Sequence, residues 1–293
     1  MNVREPFYLG VDGGGTGCRA RLETHDGRVL GNGTAGPATL RLGVEMAWAS
    51  LMAAGTAAMI EAGLAAHDRP LIHMAVGLAG LGRVGMFEQL KGLPHGFASI
   101  RFVSDGTAAC LGAHSGRDGA IVIAGTGSIG LGRVDGRDIR VGGYGFPASD
   151  EGSGADIGLQ AIKLALKAHD GRHPQTPLLA AIMQRFESEP ASVIAWMDRA
   201  TATDYATFAP VVLHHAAQGD EAAQRVTGAA AKEIEGLVDA LIGAGAPRVS
   251  LLGGLAASIE RWLSSHVRQQ LKPADGDAIS GAIILAKRAV VAD

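Results

Sequence analysis

Aromatic residues, cysteines and net charge are all scarce in this chain, and each scarcity excludes a class of protein. Phe, Trp and Tyr make up 4% of the 293 residues, and only two cysteines, Cys18 and Cys110, are present. Two cysteines cannot form the disulfide framework of a small secreted domain. The formal net charge is −3 and no basic tract occurs, which argues against nucleic-acid binding as the main function.

Long apolar runs are missing as well. No stretch of 18 or more apolar residues occurs, so we expect no membrane span and no membrane partner. The first residues lack the apolar core and cleavage site of a signal peptide, which favours a cytoplasmic location. The chain is long for one domain and 47% hydrophobic, so two domains with separate cores are expected.

Glycine, by contrast, is abundant, with 43 residues, many of them clustered at the ends of apolar runs. Such clusters predict tight turns where the backbone approaches a ligand. Up to about residue 115 the apolar pattern predicts the order β-β-β-α-β-α-β-α, with one long helix over 44–66. Beyond residue 150 the chain is predicted to be mostly helical, including a single helix over 205–218.

Two parts of the chain repeat one pattern. The tripeptide Gly-Thr-Gly at 15–17 recurs at 125–127, a shift of 110 residues. The tripeptide Asp-Gly-Arg at 26–28 recurs at 135–137, a shift of 109 residues. Each tripeptide alone is a common turn sequence. Two of them in the same order and at nearly the same shift predict a duplicated domain.

The first glycine cluster, Asp-Gly-Gly-Gly-Thr at 12–16, follows a predicted buried strand. Its glycines lack the side chains that would keep a phosphate away from backbone N–H groups, and the Thr16 hydroxyl can add a hydrogen bond. Asp12 is predicted to hold Mg²⁺ through water, because this ion prefers hard oxygen ligands. Neither a Walker A loop nor a Rossmann fingerprint is present. A plain glycine-rich hairpin is the alternative.

Two further glycine clusters fit the same ligand. The segment Gly-Thr-Gly-Ser at 125–128 is the second copy of the first loop, and two such loops facing each other would hold a polyphosphate from both sides. Gly253 and Gly254 follow an apolar strand and would let a planar base lie against the backbone. The alternative for this pair is a simple strand-to-helix turn.

Two aspartates precede predicted helices. Asp105 ends a predicted strand, where it can accept a hydroxyl proton during phosphoryl transfer. Asp150 is expected to bind sugar hydroxyls, with Tyr144 supplying a face for the sugar ring. For both aspartates the alternative is a helix N-cap, which Asp favours. The ten histidines show no metal-ligand spacing.

These motifs resemble the BadF/BadG/BcrA/BcrD-type group of the sugar kinase, actin and Hsp70 superfamily over essentially the whole chain. Within that group the chain is most similar to the N-acetylglucosamine kinases and the bacterial glucosamine kinases. The resemblance implies an α/β fold of two ribonuclease H-like (actin-like ATPase) domains around an inter-domain cleft. The expected domains are 1–115 plus 279–293, and 116–278 with a helical insertion.

The resemblance also implies an activity and a set of site residues. The expected enzyme uses ATP and Mg²⁺ to phosphorylate the 6-hydroxyl of N-acetylglucosamine or glucosamine, with Asp105 as catalytic base and Asp12 beside the metal. It is expected to be a homodimer. ATP is expected to contact Gly13, Gly14, Gly15, Thr16, Gly125, Thr126, Gly127, Gly253, Gly254, Ala257 and Ser258. The sugar is expected to contact Thr39, Asp105, Tyr144 and Asp150.

The resemblance leaves the sugar undecided. Thr39 stands where the family often has Asn, and Tyr144 where N-acetylglucosamine kinases often have Trp. Both positions bear on how the 2-substituent of the sugar is recognised, so an amine and an acetamide stay open as that substituent. Another hexose or an anhydro-sugar is a further alternative. An ATPase activator of a reductase or dehydratase would use cysteines to bridge an iron–sulfur cluster, and Cys18 and Cys110 are poorly placed for that. A sugar-sensing regulator would need a DNA-binding module, which is not expected before Phe7.

Overall fold

The computed structural model describes residues 5–81 and 85–291, which form two compact units. The first unit combines the chain up to Arg117 with the residues from Ala274 onward, and the second is Asp118–Pro273. The predicted α/β fold class is confirmed, whereas the predicted domain limits stay a prediction. No helix among these residues combines the length and the hydrophobicity needed to cross a bilayer.

The first unit is a five-stranded sheet with helices on both faces. Its elements are β1 (Phe7–Gly13), β2 (Cys18–Glu23), β3 (Val29–Ala35), α1 (Val44–Glu61), β4 (Ile72–Leu78), α2 (Met86–Lys91), β5 (Ser99–Ser104), α3 (Asp105–Ala113) and, at the end of the chain, α12 (Ala278–Val291). Two 3-10 helices, Leu40–Leu42 and Ala66–Leu71, connect them.

The strand order of this sheet is β3-β2-β1-β4-β5. The hairpin strands β1, β2 and β3 are antiparallel, while β1, β4 and β5 run parallel. Alternate residues of β1 face opposite sides: Leu9 and Val11 pack in the core that includes α1, while Tyr8 packs with residues of α12. Both faces of β1 are thus covered, as its nearly continuous apolar sequence requires.

The second unit repeats this hairpin and adds helices. Its elements are β6 (Gly119–Ala124), β7 (Ser128–Val134), β8 (Arg137–Val141), α4 (Gly154–His169), α5 (Pro177–Gln184), α6 (Pro190–Met197), α7 (Ala202–Ala206), α8 (Ala209–Ala217), α9 (Glu221–Gly243), β9 (Val249–Leu252), α10 (Ala256–Glu260) and α11 (Ser265–Gln270).

The two sheets share one topology. The order β8-β7-β6-β9 matches β3-β2-β1-β4, with the same two antiparallel pairs and the same parallel pair. The duplicated pattern predicted from the two tripeptides is therefore present in the structure. In both copies the Gly-Thr-Gly segment lies immediately before the second strand.

Two predicted helices are shorter than expected. The single helix predicted over 205–218 is wrong: α7 ends at Ala206 and α8 begins at Ala209. Pro210 lies in the first turn of α8, where its missing N–H costs nothing, whereas a helix interior would not accept it. The helix predicted over 44–66 ends at Glu61, because Gly63 adopts a left-handed φ of 74° that terminates it.

Candidate active site

Asp12 and Asp105 lie at the same edge of the first sheet, because Asp12 is near the end of β1, Asp105 directly follows β5, and both strands run parallel to β4. Asp12 is opposite Gly77 of β4, and Gly77 is opposite Val103 of β5, two residues before Asp105. Thr39 joins this edge by bridging to Ala79, just beyond β4. Ligands of open α/β sheets bind at the carboxyl ends of the strands, and this edge is of that kind.

Asp105 begins α3 without being its N-cap. Ser104 is the N-cap, since its hydroxyl accepts a hydrogen bond from the Thr107 N–H at 3.0 Å. The alternative prediction, that Asp105 caps the helix, is therefore wrong. The Asp105 side chain instead accepts from the Gly106 N–H at 2.9 Å and belongs to an exposed residue, so it is accessible to a substrate.

The surroundings of Asp105 favour its protonated form. Desolvation by the surrounding protein is the largest influence on this carboxyl and raises its pKa above the ordinary 3.8, and the charge of Asp12 raises it further. The hydrogen bond from Gly106 acts in the opposite direction without cancelling the shift. A carboxylate whose pKa is raised in this way is better matched to accepting a proton than an ordinary aspartate.

The raised pKa predicts that Asp105→Asn stabilises the protein in a pH-dependent way. A carboxyl whose pKa is higher in the folded state destabilises the fold above that pKa, and this cost disappears as the pH falls below the unfolded value. We expect Asp105→Asn to unfold at a higher Tm than wild type at pH 8 in metal-free buffer, and the difference to shrink toward pH 4. Asp239→Asn, on the exposed side of α9, is the control. A Tm difference that is independent of pH would contradict this origin.

Asp12 is held by an arginine that the sequence analysis did not single out. Its Oδ2 accepts a hydrogen bond from Arg19 Nη2 at 2.7 Å, and the Arg19 side chain is more than half exposed. The pairing follows from the hairpin register, which places Asp12 directly opposite Arg19. The length of the loop between β1 and β2 sets this register, so the sequence would have predicted the ion pair if that length had been known.

Both glycine hairpin loops are closed by their own backbone. Gly14 N–H donates to Gly17 O at 3.0 Å, and Gly125 N–H donates to Gly127 O at 2.9 Å. These two N–H groups are therefore engaged within the loops. The second loop is also fixed by α4, whose Gly154 and Ala155 N–H groups donate to Gly125 O and Thr126 O at 2.8 and 3.1 Å.

Three of the predicted nucleotide-binding glycines are closely packed. A Cβ on Gly13 would lie 2.9 Å from Leu78 Cδ1, and one on Gly127 would lie 2.5 Å from Asp150 Oδ2. Gly253 combines a φ of 101° with a Cβ position only 2.2 Å from Ala124 O. At Gly253 the fold itself explains glycine, whatever ligand binds, whereas the atom that crowds Gly127 is the end of the flexible Asp150 side chain.

Gly15, Gly125 and Gly254 are different. A Cβ at any of the three would meet no atom within 4 Å, and none has a left-handed φ. Neither packing nor backbone conformation therefore calls for glycine there. These open positions leave room for a ligand to approach the backbone closely.

Asp150 lies against the second glycine loop. Its Oδ1 accepts from Gly145 N–H at 3.3 Å, and its backbone has a left-handed φ of 66°. Desolvation raises its pKa, the Gly145 hydrogen bond lowers it, and the charge of Glu151 raises it again, leaving it above 3.8. The N-cap of α4 is Ser153, so the alternative that Asp150 caps this helix is wrong.

The remaining predicted residues differ in accessibility. Tyr144 is 76% exposed, and the Arg140 guanidinium lies 4.9 Å from its ring centroid. Thr39 is buried, and its hydroxyl donates to Ala79 O at 3.3 Å and accepts from Arg41 N–H at 3.4 Å. Its hydroxyl is thus already engaged with backbone. Arg140 was missed because an arginine in a strand gives no signal in the sequence.

The turn that contains Gly253 and Gly254 is hydrogen-bonded to the strand end before the second glycine loop. Leu255 N–H donates to Ala124 O at 3.0 Å, which ties the turn after β9 to the end of β6. Ala257 is exposed and lies in α10 directly after this turn, followed by the partly buried Ser258. The residues predicted for adenosine binding therefore lie next to the second glycine loop within one unit.

The donor set of the first unit fits Mg²⁺. This ion is usually held by one or two carboxylates, water and substrate phosphates. Asp12 and Asp105 are near enough for the charge of one to shift the pKa of the other. Within 5–81 and 85–291 no three His, Cys, Asp or Glu side chains converge as a metal cluster, so such a metal would rely on these carboxylates together with water and phosphate.

Two α/β units with one strand order, each with a glycine-rich hairpin at the end of its first strand, define the ribonuclease H-like ATPase fold. The model of the BadF/BadG/BcrA/BcrD ATPase family matches residues 9–286, and the chain belongs to this family.

Comparisons with known proteins agree with this family. The chain is 41% identical over 280 residues to glucosamine kinase GspK of Vibrio cholerae serotype O1, covering 96% of this chain and 95% of the relative. It is 31% identical over 239 residues to an N-acetylmuramic acid/N-acetylglucosamine kinase of Clostridium acetobutylicum, covering 78% and 76% of the two chains. A Chromobacterium violaceum structure assigned as an N-acetylglucosamine kinase superposes with a TM-score of 0.86 at 35% identity, covering 96% and 99%.

Proposed function

We propose that this protein is an ATP-dependent amino-sugar kinase that phosphorylates the 6-hydroxyl of glucosamine or N-acetylglucosamine. The observation that carries the proposal is Asp105, an accessible carboxylate with a raised pKa at the edge that also presents Asp12 and the loop at 13–16. The 41% identity to a glucosamine kinase supports glucosamine as the first substrate to test.

In the proposed reaction Asp105 removes the proton from the sugar hydroxyl. The hydroxyl oxygen bonds to the γ-phosphorus of ATP as the bond between that phosphorus and the ADP oxygen breaks. The open positions at Gly15 and Gly125 let the phosphates approach the backbone of the loops. Asp12 would hold Mg²⁺ through water, and the bound ion would supply positive charge against the phosphates. Asp150 is proposed to hydrogen-bond the sugar hydroxyls beside the exposed ring of Tyr144.

The test is a coupled assay of ADP release over glucosamine, N-acetylglucosamine, glucose and an anhydro-sugar, followed by NMR of the product to locate the phosphate. We expect turnover with an amino sugar and a phosphate on the 6-oxygen. Equal rates of ADP release with and without any sugar would contradict a sugar kinase activity. A phosphate on another oxygen would contradict only the proposed position.

The phosphate loops can be tested with Gly125→Ala. The new methyl group would clash with no protein atom, so we expect an unchanged Tm. It would intrude on the proposed phosphate path, and the KM for ATP should rise at least about 10-fold, which corresponds to about 1.4 kcal/mol. Gly236→Ala in α9 is the matched control, since it too meets open space. An unchanged KM for ATP in Gly125→Ala would contradict the role of this loop in ATP binding.

The activator alternative gains no support from the cysteines. Cys18 is 1% exposed, and desolvation, assisted by the charge of Asp12, raises its pKa to about 12. Cys110 is buried in α3. A cluster shared between subunits needs thiolates at a surface. The cytoplasmic location and the homodimer stay predictions, and light scattering of the purified protein would test the dimer.

A further inference from the structure

A partly open groove between α4 and α9 in the second unit has a volume of about 270 Å³. None of the residues predicted from the sequence to bind ATP or sugar lines it. Its wall is apolar at Ile157, Leu164, Val226 and Ala230, and the small side chain of Ala229 leaves the space open. A floor of this kind suits the C–H face of a sugar-sized ligand.

The charges of the groove are separated along its length. Asp156 and Glu233 line the end near the start of α4, where a Cβ on Gly152 would lie 3.1 Å from Glu233 Cβ. Lys163 and Arg225 line the other end, seven residues beyond Asp156 on α4 and eight before Glu233 on α9. At 1.5 Å per residue these separations are roughly 10 and 12 Å along the helix axes, which leaves room for a sugar phosphate between the two ends.

The cations of this groove are not committed elsewhere in the described part of the chain. Lys163, Lys167 and Arg225 are exposed and take part in none of the ion pairs or hydrogen bonds formed there. At the acidic end Asp156 is already engaged, because its oxygens accept from Gly152 N–H at 3.0 Å and Gln160 Nε2 at 2.9 Å. Glu233 is the carboxylate left for a ligand.

The walls of the groove also hold the candidate active-site loops of the same unit. Asp156 fixes Gly152, two residues after Asp150, and Gly152 packs against Ala230 O, which a Cβ would approach to 2.6 Å. The first N–H groups of α4 hold the loop at 125–127. A ligand that shifts α4 against α9 would therefore alter both loops.

We propose that the α4–α9 groove is a regulatory site for an amino-sugar phosphate. The phosphate binds Lys163, Lys167 and Arg225, the sugar ring covers the apolar floor, and the ammonium group lies at Glu233. That this ligand is the enzyme's own product rests on the proposed function, whereas binding in the groove does not. Occupation of the groove lowers turnover by displacing α4 and the loops that it supports.

Calorimetry tests the site. Glucosamine 6-phosphate is titrated into the full-length protein with glucosamine and a non-hydrolysable ATP analogue at saturation, so that the proposed active site is filled. We expect one further binding event, weakened at least about 10-fold in the double variant Lys163→Gln/Arg225→Gln. Ala229→Leu, which fills the cavity without changing charge, should weaken it as well. Glucose 6-phosphate should bind more weakly, and inorganic phosphate more weakly still.

Lys232→Gln is the control, because it removes a charge from the same helix outside the cavity. Equal affinity in this control and in the double variant, or no further binding event, would overturn the proposal. In kinetics, glucosamine 6-phosphate should inhibit wild type without competing with glucosamine, and this inhibition should be lost in the double variant. If the chain phosphorylates no amino sugar, the proposed function fails, and the calorimetric comparison of variants still decides the groove.

Discussion

Replacing Asp105 by asparagine is expected to lower kcat by about 10²- to 10⁴-fold, the usual contribution of a positioned general base. The amide keeps the shape of the side chain and cannot take the hydroxyl proton. Helix α3 should be intact, because Ser104 and not Asp105 caps it. The KM values for ATP and sugar should change much less than kcat, since the lost interaction is made mainly in the transition state.

The measurement is steady-state kinetics on the purified variant, with circular dichroism to confirm the fold. Asp105→Glu offers a second comparison, because it retains a carboxylate at a shifted position and should recover part of the rate. Near-wild-type turnover of Asp105→Asn with bound sugar would remove Asp105 as the base. Such a result would leave the family and the fold untouched.

Gly253→Ala is expected to destabilise the second unit strongly. Its Cβ would lie 2.2 Å from Ala124 O, a backbone atom that cannot move without shifting β6, and its φ of 101° is unfavourable for alanine. Clash and strain together predict a loss of about 3 kcal/mol in the free energy of unfolding. For a unit of this size that corresponds to a fall in Tm of about 6 to 12 °C.

Gly254→Ala is the matched control one residue away. Its Cβ meets no atom within 4 Å and its φ is not left-handed, so the Tm should stay close to wild type. Because the sequence predicts that Gly254 contacts ATP, this variant should raise the KM for ATP while leaving stability unchanged. Similar Tm losses in both variants, measured by thermal unfolding, would contradict the packing argument.

The sequence was sufficient for the framework of the fold. Two repeated tripeptides predicted the duplicated hairpin, and the same strand order is found in both sheets. Parallel strands then bring Asp12 and Asp105 to one edge. These features follow from hydrophobic pattern and turn chemistry, which act over short stretches of chain.

The sequence could not separate the roles of similar residues. Ser104 and Asp105 are both good N-caps, and only the backbone shows that the serine takes this position. The glycines at 13–15 look alike in the sequence, yet a Cβ on Gly13 would crowd Leu78 Cδ1 and Ala38 O, whereas one on Gly15 would meet no atom within 4 Å. Both distinctions depend on atoms brought close by tertiary packing, which no local pattern encodes.

Helix α12 has a consequence for how the chain matures. Its Ile279, Ala282, Ile283 and Ala286 cover Tyr8 and Ala75, and its Gly281 lies so close to α3 that a Cβ would approach Ala108 O to 1.9 Å. The first unit is therefore completed only by a segment that is synthesised after the whole second unit. Until then the sheet of the first unit exposes an apolar face, and transiently exposed apolar surface of this kind makes a folding intermediate prone to aggregation.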